Sequence, residues 1–177
     1  MRRVVAYELV SLDGVAEAPD ESITSWDDVM DANLAEVIAT QDAVALGRRS
    51  WEDWADYWPG SDVEPSASFV DGAPEHVVTS RPLDREWAPS TVLEGDLVTA
   101  VRALREQPGG DIGVHASISV VQTLLAAGLV DELRLVVAPA VAGRGKRLFE
   151  GVPALRLETV RCVTSPTGHL LVVLRPA

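Results

Sequence analysis

The chain has 177 residues, 47% hydrophobic and 24% charged, an ordinary globular mixture that excludes collagen-like, disordered and coiled-coil chains. Lys and Arg number 15 against 27 Asp and Glu, a formal charge of −12. Such a surface repels phosphate backbones and anionic lipid, so neither nucleic acid nor membrane is expected as a partner. The single cysteine, Cys162, excludes an intramolecular disulfide and any multi-cysteine metal site. At this length one domain spanning 1–177 is expected.

Met1-Arg2-Arg3 resembles the start of an export signal, but Glu8 and Asp13 interrupt the apolar run that would have to follow. Ile112 to Val130 lacks Asp, Glu, Lys and Arg. It carries His115, Ser117, Ser119, Gln122 and Thr123, so it reads as a buried strand followed by a helix, and a cytoplasmic protein is expected.

In chain order, Arg3–Val10 is β-rich and ends in the turn Ser11-Leu12-Asp13-Gly14. From Trp26 to Thr40 the apolar residues follow helical spacing. Ala43–Leu46 is a short strand stopped by Gly47, and Arg48 to about Tyr57 a second helix. Pro59 to Pro74 reads as irregular, followed by strands at His76–Thr79 and Thr91–Leu93. Asp96 caps a helix through Leu97, Val101 and Leu104. Ile112–His115 is a strand, Ser119 to about Ala127 a helix, and Gly128 its C′ residue. Glu132–Ala138, Ala154–Val163 and His169–Leu174 are strands, the last two joined by a turn at Ser165-Pro166-Thr167-Gly168. The predicted fold class is α/β, a mostly parallel sheet with an antiparallel edge hairpin. Such sheets bind ligands at the carboxyl ends of their strands.

Four segments there are suited to anions. Gly47-Arg48-Arg49-Ser50 opens a helix after a strand, where unpaired N–H groups and guanidiniums favour phosphate; the arginines also suit surface ion pairs. Thr79-Ser80-Arg81 offers two hydroxyls and a cation at the next strand end, or a polar turn. His115-Ala116-Ser117-Ile118-Ser119-Val120 joins a buried strand to a helix, without the G-x-G-x-x-G pattern of dinucleotide sites. Gly143-Arg144-Gly145-Lys146-Arg147-Leu148-Phe149 is a basic glycine loop, or a solvated turn. Trp51, Trp54 and Trp58 share a helix face, which suits a core or subunit interface. Asp27, Asp28 and Asp31 open the first helix; they suit its dipole and are the only weak candidates for a proton donor. No nucleophile elbow and no metal-ligating histidine pair occurs.

Taken in order, Ser11-Leu12-Asp13-Gly14, Gly47-Arg48-Arg49-Ser50-Trp51-Glu52, Val77-Val78-Thr79-Ser80-Arg81, Asp111 to Ser117, Gly128 to Leu133, and Pro139 with Gly143-x-Gly145-x-x-Leu148-Phe149 resemble the dihydrofolate reductase-like superfamily. The branch is that of the reductase domain of the riboflavin-biosynthesis deaminase–reductase. The resemblance implies a three-layer fold, a central mixed sheet between helices, with NADPH across the strand ends. By position, Arg48, Arg49 and Ser50 would meet the adenosine-side phosphates, Thr79, Ser80 and Arg81 the 2′-phosphoribose, and Ala116 to Val120 the pyrophosphate. Leu9, Val10, Asp13 and Gly14 would lie near the nicotinamide, and Gly143, Gly145, Lys146 and Phe149 beside the substrate. A homodimer is implied.

The family usually has glycine, often two in succession, where this chain has Ala116-Ser117, and in dihydrofolate reductases that link is a strained cis peptide. No zinc deaminase signature occurs, so a bifunctional enzyme is not expected. The implied activity is NADPH-dependent hydride transfer to a small heterocyclic or ribosylamino substrate, similar to 5-amino-6-(5-phosphoribosylamino)uracil reductase. The alternatives are a dihydrofolate or pterin reductase and a non-catalytic nucleotide-binding module.

Overall fold

Val4–Val10 forms β1, in which only Leu9 is more than slightly exposed. A strand covered on both faces needs no polar side, hence its near-continuous apolar run. The computed structural model describes residues 1–177. After β1 come α1 (Asp28–Ile38), β2 (Gln41–Gly47), α2 (Arg48–Tyr57), α3 (Ser66–Gly72), β3 (Glu75–Val78) and β4 (Ser90–Leu93). Then follow α4 (Leu97–Arg105), β5 (Asp111–His115), α5 (Ile118–Ala126), β6 (Glu132–Val137), β7 (Leu157–Thr164) and β8 (Leu170–Pro176).

All eight strands form one sheet in the order β4-β3-β2-β5-β1-β6-β8-β7. Neighbours from β4 through β6 pair in parallel, and β8 pairs antiparallel with both β6 and β7. This is the expected mixed α/β sheet with its antiparallel edge. The chain lays β2, β3 and β4 outward, then returns to insert β5 between β2 and β1, so a crevice opens above the carboxyl ends of the central strands.

Alternation divides the core. Val4, Ala6 and Val10 of β1 face Val120, Val121 and Leu124 of α5, together with Val101 and Leu104 of α4. On the other face Tyr7 packs with Met30 and Val37 of α1, while Trp51 and Phe69 cover Val44, Leu46 and Val77. No helix is long and apolar enough to cross a membrane; Ile112 to Val130 is β5 and α5.

The segment 59–74 departs from the expected irregular stretch, because it contains α3. Seven residues are too few to show a helical period, and this helix is held by burying Ala67 and Val70 rather than by local propensity. Gly128 has φ 65°, the left-handed value that lets the chain turn from α5 toward β6.

Candidate functional site

Helices α2 and α5 both begin at the crevice, one after β2 and one after β5. Neither has a side-chain cap, whereas α1 and α4 are capped by Asp27 and Asp96. The two open ends are tied together through hydroxyls. The Gly47 N–H donates to Ser117 Oγ at 3.0 Å, Ser117 Oγ donates to Ser50 Oγ at 2.9 Å, and Ser50 Oγ lies 2.6 Å from the Ala116 carbonyl. Gly47, Ser50 and Ser117 thus hold in one place two helix ends whose leading N–H groups attract an anion. Ala116, at the bend between β5 and α5, has φ 50°. The strain at this link is a left-handed alanine; the 116–117 peptide is trans, unlike the cis link of dihydrofolate reductases.

The crevice is a cleft of about 1350 Å³, above the usual range for one small ligand. Its lining includes the two helix ends, with Arg49, Ile118, Ser119 and Val120. It also includes Tyr7, Trp26, Trp54, Trp58, Phe69 and His115, which make it largely aromatic. Trp54 stands edge-on to Trp58, and the Trp26 indole N–H donates to Asp31 Oδ1 at 2.7 Å.

His115 is ringed by Tyr7, Trp54 and Phe69, with centroids 5.7, 6.2 and 5.9 Å away. Burial holds its imidazole down to about 4, so it is neutral near pH 7. Its Nε2 lies 2.7 Å from Gln41 Oε1. That pairing crosses over Gly113, where a Cβ would collide with Gln41 Oε1 and lie 2.7 Å from His115 Nε2. The Tyr7 hydroxyl is buried, and burial pushes it up against the opposing effect of the neighbouring Asn33 side chain.

On the opposite face of β1, Glu8 is 3% exposed and accepts the Ser117 N–H at 3.2 Å. Burial pushes its carboxyl up to about 8 against that hydrogen bond, so it stays neutral near pH 7. A charged Glu8 would sit beneath the α5 N-terminus where an anion would bind; a neutral one leaves the position open.

Of the residues singled out from sequence, Leu9, Gly47, Arg48, Arg49, Ser50, His115, Ala116, Ser117, Ile118, Ser119, Val120, Lys146 and Asp31 line the cleft. Several others do not. Val10 belongs to the core. Asp13 receives hydrogen bonds from Ser11 and from the Ala142 and Gly143 N–H groups, which holds its carboxyl near 2 and ties the 11–14 turn to the glycine loop. Gly14 accepts from Leu148 N–H in the same junction, and of the loop only Lys146 reaches the cleft, not Gly143, Gly145 or Phe149. Gly145, at φ 105°, packs against Val15 closely enough that a Cβ would clash.

Arg48 corrects the simple phosphate reading. Its guanidinium is engaged by Glu52 at 2.6 Å and Asp84 at 3.0 Å, and donates to the Pro82 carbonyl at 2.6 Å. It therefore fastens the loop after β3 to α2. Thr79, Ser80 and Arg81 lie in that loop, outside the cleft wall, with Thr79 Oγ1 accepting the Arg81 N–H. Arg49, Arg81 and Lys146 form no ion pair. Asp27 and Asp28 lie outside the cleft as well: Asp27 caps α1 and accepts from Thr167, and although burial opposes it, these hydrogen bonds keep its carboxyl well below the usual range. Among the tryptophans, Trp51 is core, while Trp54 and Trp58 face the cleft.

Sequence reasoning missed Tyr7, Glu8, Gln41 and Phe69. A charged residue inside the apolar run VVAYELV was the available signal for Glu8. Gln41 carries no local signal, because it meets His115 only through the β2–β5 register.

Sheet order, the antiparallel edge and paired helix ends over the central strands define a dihydrofolate reductase-like α/β protein. The chain belongs to the RibD C-terminal domain family, whose profile matches residues 2–171. It is 28% identical over 178 residues to protein YyaP of Bacillus subtilis, covering 97% of this chain and 94% of that one. Protein YwjB of the same organism is 27% identical over 157 residues, covering 84% and 83%. Among solved structures, a putative riboflavin biosynthesis protein from Shewanella superposes with TM-score 0.78 at 16% identity, over 99% of each chain. A pyrimidine reductase-like protein from Corynebacterium diphtheriae gives 0.68 at 16%, over 99% of this chain and 92% of that one. A Thermotoga maritima diaminohydroxyphosphoribosylaminopyrimidine deaminase/5-amino-6-(5-phosphoribosylamino)uracil reductase gives 0.70 at 14%, over 99% of this chain and 57% of that one.

Proposed function

We propose that the protein is an NADPH-dependent reductase of a small planar heterocyclic or ribosylamino substrate. The observation that carries this reading is the pair of uncapped helix N-termini, α2 and α5, joined by the Gly47–Ser117–Ser50 hydrogen bonds at the floor of the cleft. Family membership, and the reductases among proteins of this fold, support the same reading.

The residues present fit such a cofactor. Gly47, Ser50 and Ser117 to Val120 would hold its pyrophosphate, with Arg49 adding a cation that no carboxylate of the protein neutralises. Arg81, on the loop that Arg48 fastens, would meet a 2′-phosphate and favour NADPH over NADH. When bound, the cofactor supplies hydride; the protein's share is alignment and exclusion of water. The neutral Glu8 removes a competing negative charge from the pyrophosphate position. Asp31, whose carboxylate faces the cleft and holds Trp26, is the acid of the first helix that remains available to a substrate.

Tryptophan fluorescence titration with NADPH and NADH tests the reading, since Trp54 and Trp58 line the cleft. Saturable quenching at micromolar NADPH and weaker binding of NADH are expected. No response up to millimolar of either overturns it.

A further inference from the structure

Glu75, at the start of β3, has no exposed surface and lies outside the cleft wall. Its Oε2 is 3.2 Å from Ser90 Oγ on β4, and its Oε1 is buried without a partner. The same Ser90 hydroxyl meets two further groups, the Trp51 indole N–H of α2 at 2.8 Å and the Trp87 carbonyl at 2.7 Å. A hydroxyl has one hydrogen and two lone pairs. The carbonyl can only accept, so at 2.7 Å the Ser90 hydrogen points to it. The indole N–H can only donate, and it fills one lone pair. The second lone pair is left for Glu75, which completes the set only by bringing a proton of its own. A neutral Glu75 therefore satisfies Ser90, Trp51 and Trp87 together. An ionised Glu75 draws the Ser90 hydrogen to itself and leaves two bare oxygens facing each other at 2.7 Å.

Burial favours the neutral form, pushing the carboxyl up to about 8 against the Ser90 hydroxyl, and Asp71 of α3 adds to the rise. Other charges nearby are engaged elsewhere: Arg48 with Glu52 and Asp84, and Arg85 with Asp56. Glu86 is exposed, and His76 is turned to Thr91. β2 and β4 present Val44 and Ser90 beside Glu75. Trp51 is fully buried, between Ser50 at the open helix end and Trp54 in the cleft wall. Arg48, which grips the loop at Pro82 and Asp84, stands 5.9 Å over the Trp51 ring. We infer that Glu75 is a positioning residue of the cleft: as a neutral acid it seats Trp51 through Ser90 and so holds the start of α2, and on ionising it lets that helix end shift. The inference rests on the reductase reading only for the ligand concerned.

Heteronuclear NMR tests this from pH 6.5 to 9.5, on the wild-type chain and on Glu8→Gln, which removes the acid beneath α5. In both, the Trp51 indole signal, assigned with Trp51→Phe, is expected to shift with a midpoint of about 8. In Glu8→Gln the α-carbons of Arg49 and Ser50 follow the same curve. Adding Glu75→Gln, whose amide donates to Ser90 at every pH, abolishes these steps. The Glu8→Gln chain is expected to bind NADPH roughly tenfold more weakly at pH 9 than at pH 7, because only the neutral fraction of Glu75 holds the helix end in place. Glu75→Gln in the same chain removes that loss. Flat signals, steps that survive Glu75→Gln, or NADPH affinity of Glu8→Gln that ignores pH overturn the inference. The wild-type Trp51 titration decides even where a variant fails to fold. A chain whose α2 signals titrate through Glu75 but that ignores NADPH loses the reductase reading and keeps this one, and NADPH binding with flat signals does the reverse.

Discussion

Ser117 Oγ receives the Gly47 N–H at 3.0 Å and reaches Ser50 Oγ at 2.9 Å, so one buried hydroxyl joins the start of α5 to the start of α2. Removing it leaves the Gly47 donor unpaired. Ser117→Ala is expected to destabilise the fold by about 1–2 kcal/mol in urea denaturation and to weaken NADPH, because the two helix ends no longer hold a common position. Unchanged affinity would show that the ends are fixed by packing alone.

Arg48 and Arg49 are neighbours in sequence with opposite commitments. Arg49 has no ion pair, so Arg49→Ala is expected to lower NADPH affinity and its salt dependence while the melting temperature holds. Arg48→Ala releases Glu52, Asp84 and the Pro82 carbonyl. It should lower thermal stability as well as affinity, since the loop carrying Arg81 comes loose. Identical effects of the two variants would contradict this division.

Gly113 is the gap through which Gln41 reaches His115. Gly113→Ala is expected to cost about 1–3 kcal/mol by displacing the glutamine and breaking the pair. In a double-mutant cycle, Gln41→Ala should return part of that loss by making room for the new methyl group. Full additivity would mean that the two residues do not share the space.

Ala116 holds a left-handed φ of 50° without being glycine. Ala116→Gly is expected to stabilise the fold by about 1 kcal/mol, the relief of the Cβ clash outweighing glycine's greater chain entropy. Chemical denaturation measures it.

Glu8 and His115 give stability a pH dependence of defined sign. The folded state holds the Glu8 proton up to about pH 8, whereas an unfolded glutamate releases it near 4.5. Stability from this group therefore falls as pH rises between those values, by about 1.4 kcal/mol per unit. His115 works the other way between about 4 and 6.5, where the unfolded chain binds the extra proton. From pH 6.5 to 8 the Glu8 contribution is free of that opposition. Glu75, whose carboxyl burial also pushes up to about 8, adds a decline of the same sign, so Glu8→Gln should lessen the decline in that interval without abolishing it, followed by thermal melts at closely spaced pH.

Local patterns in the chain sufficed for the alternation of strands and helices, the antiparallel end, and the glycine and basic segments at the strand ends, because these are read from periods of two and 3.6 and from turn residues within a few positions of one another. The same local reasoning marked Gly47, Arg48, Arg49, Ser50 and Ser117 as anion-binding candidates. What each guanidinium touches was decided by tertiary structure: Arg48 and Arg49 look alike in the chain, and only the fold brings Asp84 to one of them. The buried contacts of His115 with Tyr7 and Gln41 were equally invisible, since strands β1, β2 and β5 become neighbours only when the chain returns to insert β5 between the other two. A neutral glutamate at Glu8 likewise required burial by α5, a property of the assembled layers.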